Sequence, residues 1–136
     1  MAEPDAATLD DVVARAAEGE PCVLAAYVFG SRARGEAGAR SDLDVAVLEA
    51  PDASLSIESE ERLRARIARA TGLRIDIARL GPASPVLAFE VLEGGRRVFA
   101  RDAETADEIE ERLLRRYLDT EHLRRVQREY FFEAKR

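Results

Sequence analysis

FGSRARGEAGARSDLDVAV, residues 29–47, joins two apolar runs through a polar stretch that holds three glycines. Upstream lies Cys22–Phe29 (CVLAAYVF), a continuous apolar run of strand length that Gly30 ends. Such a run fits a strand buried on both faces. Downstream, Asp42–Leu48 (DLDVAVL) begins in alternation and reads as a second strand. Side chains on a strand alternate with period two. Asp42, Asp44 and Ala46 therefore share one face, and Leu43, Val45 and Val47 share the other, which is apolar. One side of this strand is expected to be buried, and the other presents two acids.

Further out, Thr8–Glu18 reads as a first helix with Thr8 as its N-cap and Gly19 as its stop. Ser56–Thr71 is helical, with Ile57, Leu63, Ile67 and Ala70 near helical spacing and Gly72 closing it. Leu73–Leu80 (LRIDIARL) is a third strand. Val86–Leu92 is a short helix, Gly94-Gly95 a turn and Arg97–Ala100 a short edge strand. Residues from about 103 to 134 form one long helical pattern, about 45 Å at 1.5 Å per residue. The expected fold class is α+β: a small mixed sheet, helices largely on one side, and a long C-terminal helix. One domain over 1–136 is expected, with a core over about 8–102.

Composition narrows the function. The chain has 136 residues and a net charge of −6, which argues against non-specific nucleic-acid binding. Cys22 is the only cysteine, so no intrachain disulfide can form. No apolar run approaches the roughly 18 residues of a membrane span, and the opening residues lack the apolar region of an export signal. A cytoplasmic location is the expectation. Lys135 is the only lysine among 21 basic residues, so anion chemistry falls to arginine, backbone N–H groups or metal ions. His122, the only histidine, lies far from the acids, which leaves neither histidine-based catalysis nor zinc-site spacing.

Two carboxylates held on one strand face repel each other unless a cation lies between them. Hard divalent cations such as Mg²⁺ prefer such oxygens and keep positions open for phosphate. Gly30 lets the backbone approach an anion, and the Ser31 hydroxyl can donate to a phosphate oxygen. Arg32 and Arg34 add charge beside them, although solvated loop arginines fit the same positions, as does Arg40. Asp76 sits mid-strand between Ile75 and Ile77, where an acid is costly unless paired or metal-bound. If that strand lies beside Asp42 and Asp44, three carboxylates converge. In a two-metal mechanism one ion holds the triphosphate and the other activates the attacking hydroxyl. Asp76 would then suit the general-base role or the nucleophile-side metal. A phosphate grip and metal acids on adjacent elements are what phosphoryl or nucleotidyl transfer requires.

The ordered set of Gly30-Ser31, a ten-residue spacer and Asp42-x-Asp44 resembles the signature of the DNA polymerase β nucleotidyltransferase superfamily. The short spacer looks like the minimal nucleotidyltransferases, the MntA-type antitoxins that pair with HEPN-domain HepT toxins. The third aspartate in RIDIARL and the following SPVLAFEVLEGGRRVFARD extend the resemblance to Asp102. It implies the polymerase β-like fold, ATP as donor and Mg²⁺ as cofactor. It implies phosphate binding at Gly30 and Ser31, with Asp42, Asp44 and Asp76 as the catalytic, metal-binding triad. It also implies adenylylation of a tyrosine on a HEPN/HepT-type toxin. Two other readings remain open here: an antitoxin that only masks its toxin, and an aminoglycoside-type adenylyltransferase.

In the long helix, Ile109, Leu113, Leu114, Tyr117 and Leu118 are expected to pack on the sheet. A second apolar stretch, Leu123, Val126, Tyr130, Phe131 and Phe132, is either an oligomer or partner surface or a tail folded back over the core.

Overall fold

The computed structural model describes residues 5–35 and 42–134. The chain begins with helix α1 (Ala6–Glu18), strand β1 (Val23–Phe29) and a single helical turn, α2 (Gly30–Ala33). Strand β2 (Leu43–Glu49), helix α3 (Ile57–Thr71) and strand β3 (Ile75–Arg79) follow. Helix α4 (Pro85–Gly94), strand β4 (Arg96–Ala100) and helix α5 (Ala103–Ala134) complete the order. Arg40 and Ser41 lie outside the described residues.

The four strands form one sheet in the order β3-β2-β1-β4. β1 pairs antiparallel with β2 and with β4, whereas β2 and β3 are parallel. A parallel pair needs a crossover, and α3 supplies it. The sheet is thus mixed, and it contains one βαβ unit.

Burial follows the apolar pattern. Leu43, Val45 and Val47 of β2 join Val28 of β1 and Ile75 of β3 beneath Leu9 and Val13 of α1 and Leu63 and Ile67 of α3. On the other face, Tyr27 and Ala46 meet Ala88 and Val91 of α4 and Ala106 and Leu113 of α5. The helices are therefore shared between the two faces and not gathered on one. The cause is β1, whose residues Val23 to Val28 are all buried and need cover on both sides.

Local signals hold with small shifts. Ser56 caps α3 by accepting from the Ser59 N–H at 3.0 Å, and Gly72 ends it with φ +72°. Helix α1 starts earlier than Thr8. Asp5 is its N-cap, accepting from the Thr8 N–H at 2.8 Å. In α3 the buried face is Ser59, Leu63 and Ile67, while Ile57 and Ala70 are exposed. Ile57 lies six residues before Leu63, which turns it away from the core.

Gly95, between α4 and β4, allows a close approach. A Cβ there would lie 2.6 Å from the Val28 carbonyl oxygen and 2.7 Å from that of Val91. No helix among the described residues is long and apolar enough to cross a membrane.

Candidate active site

The site forms where β1 turns into α2. Pairing of β1 with β2 sets Phe29 opposite Asp44, so Gly30 follows directly beside that carboxylate. A Cβ on Gly30 would lie 2.2 Å from Asp44 Oδ2, well inside van der Waals contact. Gly30 also has φ +77°, in the left-handed region. Two independent constraints, space and backbone conformation, thus select glycine. Ser31 and Arg32 follow in α2, both half-buried, and Arg34 is exposed just after it.

The parallel pairing of β2 with β3 sets Leu43 opposite Ile75 and Asp44 opposite Asp76. Asp42 precedes Leu43 and shares the Asp44 face by alternation. The structure therefore brings Asp42, Asp44 and Asp76 to one region of the sheet, next to Gly30. This is the face covered by α4 and α5. Asp42 also lies 4.0 Å from Arg74 Nε, at the outer limit of an ion pair.

The electrostatics of the site follow from this proximity. The Asp44 carboxyl is held above the ordinary carboxylate range, first by burial and then by the charges of Asp76, Asp42 and Glu90. The Arg34 guanidinium acts in the opposite direction. Asp44 is half-buried, while Asp76 is exposed on the edge strand. The expectation that Asp76 carries a burial cost is therefore corrected. β3 has only one strand neighbour, and its outer flank is open to water.

Glu90, on α4, is the acid that sequence reasoning missed. No local motif marks it. It reaches the site because α4 crosses the same sheet face, and it is exposed.

Among the described residues, no three carboxylate, histidine or thiol groups meet at the spacing of an assembled metal shell. The chemistry of the donor set still fits a hard divalent cation. It is all carboxylate oxygen, and its members repel one another at Asp44.

A partly buried network lies on the same sheet face. The Tyr27 hydroxyl donates to Glu110 Oε2 at 2.9 Å, and Arg97 Nη1 donates to the same oxygen at 2.6 Å. Arg97 Nη1 also reaches Asp107 Oδ1 at 2.8 Å. Burial, followed by the Glu110 charge, pushes the Tyr27 phenol far above its usual range. This network ties α5 to β1 and β4. On the other face of the sheet, Arg96 of β4 binds Asp10 of α1 in bidentate fashion at 2.8 and 2.9 Å. Its third nitrogen lies 3.5 Å from the Ala33 carbonyl of α2.

The fold is that of known proteins. It is similar to a toxin–antitoxin structure with AMP-PNP, at 21% identity and a TM-score of 0.70, over 92% of this chain and 96% of that one. It is also similar to a structure of a tri-AMPylated HEPN toxin from Shewanella oneidensis in complex with MNT antitoxin. There the identity is 20% and the TM-score 0.66, over 94% of this chain and 97% of that one. An MntA–HepT toxin–antitoxin structure matches with the same identity, coverage and TM-score. These likenesses are of fold. No curated protein matches the chain. The profile for "Polymerase beta, Nucleotidyltransferase" matches residues 13–104, which include Gly30, Ser31, Asp42, Asp44 and Asp76. With more than half its length matched, the chain belongs to the polymerase beta nucleotidyltransferase family.

Proposed function

We propose that this protein transfers AMP from ATP to a tyrosine hydroxyl of a HEPN/HepT-type toxin and thereby acts as its antitoxin. The observation that carries the reading is the register that sets Asp44 opposite Asp76 and, through Phe29, beside Gly30. Phosphate grip and acids then lie within one site, as transfer at a phosphorus atom requires. The similar folds seen with AMP-PNP and with an AMPylated HEPN toxin support this donor and this class of acceptor. A cytoplasmic location and a single domain over 1–136 belong to the same reading.

The Gly30 backbone and the Ser31 hydroxyl hold the β- and γ-phosphates. Arg32 and Arg34 offset their charge. Asp42 and Asp44, with Asp76, would hold Mg²⁺. When bound there, Mg²⁺ neutralises the triphosphate and lowers the pKa of the attacking hydroxyl. The acceptor oxygen forms the new bond to the α-phosphorus as the bond to the β-phosphate oxygen breaks. Pyrophosphate leaves, and the hydroxyl proton passes to the Asp76 carboxylate.

The test is incubation with labelled ATP, Mg²⁺ and a HEPN-type toxin protein. Label on that protein, lost when Asp42 and Asp44 are both changed to Ala, is the expected result. Neutralisation of the toxin by that double variant, without label, would overturn the catalytic reading in favour of masking.

A further inference from the structure

Helix α5 does not end where the domain ends. It spans 32 residues, about 48 Å at 1.5 Å per residue. Ala106 and Leu113 bury it against the sheet. Arg116 Nε donates to the Pro82 carbonyl at 2.8 Å, and Tyr117 stacks on Phe89 with centroids 4.1 Å apart. Beyond that point the apolar side chains turn outward. Leu118 is 61% exposed, Leu123 60%, Val126 44% and Tyr130 70%. This corrects the expectation that Leu118 packs on the sheet, and it does not fit a tail folded back over the core. The side chains of Phe131 and Phe132 lie outside the described residues.

Leu123, Val126 and Tyr130 fall on one face, from which Leu118 is turned away. Arg112, Arg116, Asp119, Leu123, Val126 and Tyr130 recur every three or four residues, the spacing of a single helical stripe. The upper end of this stripe is a cavity of about 270 Å³ with Ile109 and Leu113 in its lining, flanked by Arg112 and Arg116 and closed by Pro82. An apolar floor with cationic edges thus continues into an apolar ridge.

Charge indicates what covers this surface. The chain carries −6 overall. Yet residues 112–130 of α5 bear six arginines against Asp119, Glu121 and Glu129, a local excess of positive charge. Two copies pairing through the same patch would bring two such positively charged segments together. A different protein with an apolar surface bordered by carboxylates meets no such penalty and gains from both terms. The location fits as well, because α5 covers the sheet face that presents Asp42 and Asp44.

We infer that the Arg112–Tyr130 face of α5 is the docking surface for the protein acceptor, which it grips through an apolar patch edged with carboxylates. This rests on the reading that the acceptor is a protein.

The test uses the full chain with Leu123→Glu and Val126→Glu together, and separately with Arg112→Glu. The probe is the same HEPN-type toxin protein, its binding measured by calorimetry. Both variants should weaken its binding at least about tenfold, the loss expected from central interface residues. AMP-PNP affinity should stay within about twofold, and a matching rise in KM for the protein acceptor should leave kcat unchanged. Partner binding by both variants within about twofold of wild type overturns the inference. So does absence of wild-type binding. So does a wild-type dimer that the double variant converts to a monomer in ultracentrifugation, because the occupant is then a second copy. A partner that is bound but never labelled overturns the transfer reading and leaves the docking surface standing.

Discussion

Gly30→Ala isolates the geometry on which the site rests. Two costs follow from the structure. The first is conformational. With φ +77°, the new side chain would occupy the left-handed region, at roughly 1–2 kcal/mol for a residue with a Cβ. The second is steric. The Cβ would lie 2.2 Å from Asp44 Oδ2 and 3.1 Å from Asp44 Cγ. A carbon–oxygen contact needs more than 3 Å, so the carboxylate or the α2 turn must move by about 1 Å. A shift of that size in a reacting constellation can cost about 100-fold in rate. Gly72→Ala is the control. Gly72 has φ +72°, and nothing lies within 4 Å of the added Cβ. Gly72→Ala should lose about 1–2 kcal/mol, read as a fall in Tm of roughly 3–10 °C, and Gly30→Ala at least as much. Only Gly30→Ala should also lose transfer to the protein acceptor, measured with labelled ATP at a temperature where all three proteins are folded. Equal transfer rates for the two variants would refute the claim that Gly30 is selected by its contact with Asp44.

Three further outcomes follow. The raised Asp44 carboxyl means that the folded state holds its proton more tightly than the unfolded state does. Stability from this group is therefore present at low pH and declines as pH rises through the unfolded value toward the folded one. Asp44→Asn should accordingly raise Tm at neutral pH without divalent cation while abolishing transfer, and added Mg²⁺ should stabilise wild type more than the variant. Tyr27→Phe removes the donor to Glu110, a charge-assisted bond worth about 1.5–3 kcal/mol. The Tyr27 phenol is pushed up, so wild-type stability should also decline as pH rises past about 10, the ordinary tyrosine value. Urea melts across that range should show a flatter decline for Tyr27→Phe. Gly95→Ala presses a Cβ against the Val28 and Val91 carbonyls at 2.6 and 2.7 Å, atoms of the backbone that cannot rotate away. It should cost about 1–3 kcal/mol by overpacking and lower the urea midpoint more than Gly72→Ala lowers it.

The acids and the glycine were legible for different reasons. That Asp42 and Asp44 share a face follows from the period of a strand, so five letters of sequence suffice. The Ser56 and Gly72 caps are equally local, because a cap is satisfied by groups within a few residues. The first helix was less legible. Asp5 and Thr8 are both good caps, and the choice between them depends on how far the helix extends before its first buried residue, Leu9.

The sequence alone determined which residue types could do the chemistry: two acids on one strand face, a glycine-serine turn after a buried strand, and arginine as almost the only cation. These are properties of neighbours in the chain, set by backbone period and side-chain identity. The tertiary structure decided which of them meet. Pairing register placed Asp76 opposite Asp44 and Gly30 against its carboxylate. The need to cover β1 on both faces brought α4 and α5 onto the sheet face that carries the acids, and with α4 came Glu90. The uncovered stripe of α5 was settled in the same way, because burial depends on what else the chain brings within reach. Such contacts join residues tens of positions apart, and no local period encodes them.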